Sequence, residues 1–158
     1  MQGNGASPAG WTVVSIAILH AHKNQGHGAT FLCLASGLKK DLSCILYVDD
    51  NDLIHLSENE EETIHEAHEA LQHSVTSWGN LLIATGGALK PQKCFFYLVG
   101  YKWDNRGGWR YINSQATQPL IISVPQPDGS TVPIEQLPID SPSVTLGGTS
   151  PPLGLVAP

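Results

Sequence analysis

The stretch from Ser43 to Leu56 constrains the chain more than any other. Two short apolar runs, Cys44-Ile45-Leu46-Tyr47-Val48 and Leu53-Ile54-His55-Leu56, flank Asp49-Asp50-Asn51-Asp52. Each run has the length of a strand, and Asp and Asn turn readily, so the stretch predicts an antiparallel β-hairpin with its acids at the tip. Adjacent carboxylates on a tight turn repel one another unless a cation or water screens them. A hard divalent ion is one relief: Mg²⁺ takes one or two protein carboxylates and fills its shell with water and phosphate oxygens. The same residues also suit an ordinary solvated turn, so alone they leave both readings open.

With 158 residues, 41% of them hydrophobic, the chain has room for one domain and a modest core. The three cysteines, Cys33, Cys44 and Cys94, are widely spaced and form no Cys-x-x-Cys pair, so reduced, buried thiols are expected. No basic region precedes the apolar run Trp11 to Leu19, which is too short to span a bilayer. The expectation is an intracellular protein, in cytoplasm or nucleus, neither secreted nor membrane-inserted. A net charge of −6 opposes nucleic-acid binding, but the charge is segregated. Acids crowd between Glu58 and Glu69, whereas Lys90, Lys93, Lys102, Arg106 and Arg110 follow together.

Ser7 as N-cap, Pro8 at the first helical position, and Trp11, Val14, Ile18 and Ala21 at helical spacing predict a helix from Pro8 to His22. Ala29 to Leu34 reads as a short strand or buried segment and Gly37 to Asp41 as a loop. Ser57 with Glu60 resembles a capping box, and Ile64, Ala67, Leu71, Val75, Trp78 and Leu82 form one apolar stripe. A long helix from Glu58 to about Thr85, closed by Gly86-Gly87, is expected on the back of the sheet, with Gly79 costing up to about 1 kcal/mol inside it. His65, His68, Glu69 and His73 lie on its polar side; i, i+4 pairs can chelate zinc, but histidines among glutamates more often form a solvated face. Phe95 to Tyr111 predicts an aromatic hairpin whose alternating cationic residues suit either cross-strand packing, the favoured reading, or a grip on nucleic acid. Leu120 to Val124 and Thr131 to Ile134 flank an Asp128-Gly129 turn and predict a two-stranded extension.

Tyr47-Val48-Asp49-Asp50 resembles the Tyr-x-Asp-Asp box of reverse transcriptases. Gln2-Gly3, followed by Ser7-Pro8 opening a helix, is similar to the box that precedes that hairpin in the family. Gly86-Gly87 and Lys93 ahead of an aromatic strand resemble the box that follows it, and Thr145-Leu146-Gly147 is similar to a later Leu-Gly box. The resemblance covers residues 2 to 149, and the order of these boxes makes it specific.

The resemblance implies an α+β fold: a partial polymerase palm over residues 1–100, with the antiparallel hairpin packed on two helices. A β-hairpin region towards a palm and thumb junction would follow over 101–149, with a disordered tail at 150–158. It implies RNA-directed DNA synthesis with two Mg²⁺ ions, a primed RNA or DNA template and deoxynucleoside triphosphates. Asp49 and Asp50 would hold metal, and Lys93 would act on pyrophosphate. Gln2, Gly3, Ser7, Pro8 and Tyr47 would contact nucleotide, template or primer, while Asp52 would be structural. The family's third carboxylate lies on a strand ahead of the Gln-Gly loop. The chain is therefore expected to be a truncated fragment with negligible activity alone. The competing expectation is a non-catalytic remnant, or a module that binds nucleic acid or protein; a histidine-rich metal-binding helix is a third.

Overall fold

Two helices and a set of small sheets make up a mixed α+β chain in the computed structural model, which describes residues 7–47, 50–57, 62–112, 120–141, 143–145 and 148–150. Helix α1 (Ser7–Asn24) runs two residues past its predicted end. Its buried residues, Ser15, Ile18 and His22, follow the expected helical spacing, while Val13 and Ile16 face outward. Helix α2 (Ile64–Ala84) begins later than expected. Thr63, not Ser57, is its N-cap: the Thr63 hydroxyl accepts the Glu66 N–H at 3.3 Å, and the Thr63 N–H donates to the Glu66 carboxylate at 2.7 Å. The Ser57–Glu60 pattern misled because an equivalent box, with better placement before the apolar stripe, follows six residues on. At the other end Gly86 takes φ of 84°, its N–H bonding to Ile83 O and that of Gly87 to Leu82 O, a Schellman stop.

The α2 stripe divides its contacts between two apolar clusters. Leu71 and Val75 pack with Phe96, Leu98, Ile122, Val124 and Ile134. Trp78 and Leu82 pack with Ile18 of α1 and Cys44. The first cluster faces a three-stranded sheet in the order β5 (Phe95–Phe96), β9 (Thr131–Gln136), β8 (Ile122–Pro125). β8 and β9 pair antiparallel around the expected Asp128-Gly129 turn, whereas β5 joins β9 in parallel. The predicted extension is thus part of the core, and Ile122 and Val124 are fully enclosed.

The outer edge of β8 is closed by side chains of α2. Ser123 N–H donates to the Gln72 Oε1 at 2.7 Å, and Gln72 Nε2 donates to Ser123 O at 2.8 Å, so one amide takes the place of a neighbouring strand. His68 Nε2 donates to Ile121 O at 2.9 Å. Because both Ser123 backbone groups turn to α2, the opposite residue, Pro133, has no donor to supply across the ladder. A proline in the middle strand is tolerated there because β5 reaches only Glu135 and Gln136.

The remaining strands form separate ribbons. β1 (Ala29–Leu32) pairs with β2 (Lys39–Leu42), so the segment read as a loop is half a hairpin, tied to α1 by the Lys23–Asp41 ion pair at 3.1 Å. β6 (Gly100–Trp103) pairs with β7 (Trp109–Ile112), a shorter hairpin than the one expected from Phe95, since Phe95–Phe96 joins the core sheet as β5; its turn is held by Asp104, whose carboxylate accepts the Arg106 and Gly108 N–H groups. β10 (Ser143–Thr145) pairs with β11 (Gly148–Ser150). Leu146 and Gly147 of the Leu-Gly box, and the tail at 151–158, lie outside the described residues. Among the described residues no helix is long and apolar enough to cross a membrane.

Candidate functional site

β3 (Cys44–Tyr47) and β4 (Asp50–Leu53) form the expected hairpin, with Cys44 opposite Leu53 and Tyr47 opposite Asp50. Strand alternation sorts its residues. Cys44, Leu46 and Leu53 turn inward to Trp78 and Leu82 of α2 and to Ile18 of α1. Ile45, Asp50 and Asp52 are exposed on the opposite side. The hairpin therefore rests on both helices through one apolar face and presents its carboxylates on the other.

Asp50 is exposed at the start of β4, and Asp49, the other expected metal ligand, lies outside the described residues with Val48. Gln2 and Gly3 also lie outside them; Ser7 and Pro8 form the first turn of α1, and Tyr47 ends β3. Lys93 is exposed at the end of a 3-10 turn (Pro91–Lys93), directly ahead of β5 as its sequence context required. β5 belongs to the other sheet, and among the described residues no ion pair joins Lys93 to Asp50.

Asp52, expected to be structural, is exposed. It shares the outward face of β4 with Asp50, and partial enclosure, followed by the Asp50 charge, pushes its carboxyl above the usual range. Like charges two residues apart on a strand produce that effect. Applying the two-residue period from Asp50 onward was the signal that would have found it. The buried thiol behind the hairpin feels the same field: enclosure, then Asp52, raises Cys44 to about 11.

The other candidate centres separate. Among the described residues no three His, Cys, Asp or Glu side chains converge on a position that could hold a metal ion. His68 is engaged with the β8 edge, and His65 and His73 are exposed. Cys33 is exposed, contrary to the expectation that all three thiols are buried, because it sits at the turn between β1 and β2. Tyr101 lies opposite Tyr111 and Lys102 opposite Arg110 across the β6–β7 ribbon, the cross-strand arrangement expected, while Tyr101 and Lys102 remain exposed. Among the described side chains, neither apolar cluster includes a residue of β6 or β7. Compared with known families, curated proteins and solved structures, the chain matches none.

Proposed function

We propose that this chain is the catalytic-hairpin portion of a reverse-transcriptase palm, whose parent transfers nucleotides to a primer 3′-hydroxyl under the direction of a template. One observation carries the reading. Tyr47 and Asp50, the first and last residues of the Tyr-x-Asp-Asp box, pair across an antiparallel hairpin whose inner face is braced by both helices and whose other face exposes Asp50 and Asp52. The donor set suits a hard cation: carboxylate oxygens, with Asp52 on the same face, its ionisation opposed by the Asp50 charge. The bound Mg²⁺ ions would stabilise the attacking and leaving oxygens. Asp49 and Asp50 supply carboxylates, Tyr47 flanks the primer terminus or nucleotide, and the Lys93 ammonium donates a proton to departing pyrophosphate. Gln2, Gly3, Ser7 and Pro8 contact nucleotide and template.

The exposed Tyr101 and Lys102 favour a second reading, a module that binds nucleic acid without chemistry. Primer extension separates the two. The chain is supplemented with an upstream polymerase segment bearing the third carboxylate and supplied with Mg²⁺, deoxynucleoside triphosphates and a primed RNA template. Extension that disappears in both Asp49→Ala and Asp50→Ala supports the polymerase reading. Extension that survives either change refutes it, and template binding without extension supports the second reading.

A further inference from the structure

The contact between the two helices turns on a histidine with no solvent exposure. His22, near the end of α1, is 0% exposed, and its ring meets α2 at two hydroxyls. Its Nδ1 lies 3.1 Å from Ser77 Oγ and its Nε2 3.2 Å from Ser74 Oγ. The Ser77 hydroxyl donates to Gln25 Oε1 at 2.6 Å, which leaves it to accept from His22 Nδ1–H. Ser74 then donates to Nε2. This arrangement satisfies a neutral ring at both nitrogens and offers no carboxylate to a charged one.

The surroundings sharpen the bias. The His27 ring stacks on His22 with centroids 4.7 Å apart, and Trp78 meets it edge-on at 5.3 Å. From α2, His73 acts on His27, as does His55 in the segment after β4. His55 has its own partner in Glu62, at 3.0 Å, so that carboxylate is committed elsewhere. Lys23 turns to Asp41, and Cys44, the titratable group in the same apolar cluster, is kept neutral by burial. Among the described residues, every ionisable ring facing this pair is therefore another potential cation. Enclosure, then His27, lowers His22 from 6.5 to about 4; enclosure, then His73 and His55, lowers His27.

We propose that the stacked His22–His27 pair, seated on the Ser74 and Ser77 hydroxyls, is an acid-sensitive latch that holds α1 on α2 when both rings are neutral and releases it when they are charged. The sign follows from the direction of binding: the open state takes protons more readily than the closed one. The latch is therefore complete above the ordinary histidine range and weakens as pH falls towards 4. Because Ile18, one turn away along the same face, and Cys44 of β3 share the cluster with Trp78, release frees the brace behind the hairpin.

The test is amide hydrogen exchange of the full chain, corrected for intrinsic rates, between about pH 7.5 and pH 4. The α1 opening constant should rise by about a hundredfold from His22 alone. His22→Gln, which keeps a donor and an acceptor, should open more at neutral pH and lose most of that pH dependence. His27→Gln, whose ring is only half-buried, should fold normally and shift the transition of α1 to lower pH. The proposal is overturned if α1 protection in the native chain is unchanged across this range, or if it falls equally in His27→Gln and in the native chain.

Discussion

Replacing Gly79 by alanine should fail to stabilise the fold, against its effect on the isolated helix. Gly79 lies inside α2, where alanine is favoured over glycine by about 1 kcal/mol. A Cβ built there would stand 2.5 Å from Pro125 Cγ and 3.0 Å from Pro125 Cδ. Carbon atoms settle at about 3.5–4.0 Å, so α2 and the end of β8 must separate by about 1 Å or the proline ring must move with its strand. The ring cannot rotate away as a flexible side chain would, and Pro125 is held by its pairing with Thr131. Overpacking of this kind costs about 1–3 kcal/mol, which exceeds or cancels the propensity gain. Urea unfolding followed by circular dichroism gives the net change, and a cycle with Pro125→Ala isolates the contact. Gly79→Ala should be neutral to destabilising by about 2 kcal/mol in the native background and stabilising by up to about 1 kcal/mol beside Pro125→Ala. Stabilisation in both backgrounds, with no coupling, would refute the close approach as the reason for the glycine.

Three further outcomes follow from particular contacts. Gln72→Leu leaves the Ser123 N–H and C=O without their partner at a half-buried edge and should cost about 2–3 kcal/mol in urea unfolding, whereas Thr76→Val, which loses the peripheral contact to Gln72, should cost less. Asp52→Asn should raise the melting temperature at neutral pH, with the gain vanishing in acid. A carboxyl whose folded pKa is raised opposes folding above that pKa and ceases to do so once it is protonated in both states. Iodoacetamide should modify Cys33 first, since it is exposed and its Ser36 contact holds the thiol below its ordinary range, while Cys44 and Cys94, both raised by burial, react only on unfolding.

Local chemistry made much of this fold readable. The period of α2, the Gly86-Gly87 stop, the Asp128-Gly129 turn and the hairpin bearing Tyr47 and Asp50 each follow from residues close in the chain. What could not be read is set by distant partners. The exposed pattern of Lys39-Lys40-Asp41 carries no strand alternation, and only pairing with Ala29–Leu32 makes it one. The parallel contact of Phe95–Phe96 with Glu135–Gln136 spans forty residues and leaves no local trace. Gly79 looked like a cost to the helix and is a place where a strand end approaches. His22 marks the end of the predicted helix, and its burial depends on Ser74 and Ser77, which no local rule marks as partners. For the candidate site, the two-residue period of a strand is enough to put Asp52 on the face of Asp50.

The central claim is that the hairpin carboxylates form part of a divalent-ion site, and paramagnetic broadening by Mn²⁺ tests it most directly. Titrated into the ¹⁵N-labelled chain, substoichiometric Mn²⁺ should first broaden the amides of Tyr47 and Asp50 to Asp52, excess Mg²⁺ should restore them, and Asp49→Asn and Asp50→Asn should each abolish the effect. Broadening that starts at the glutamates of α2, or that persists unchanged in both variants, would contradict it.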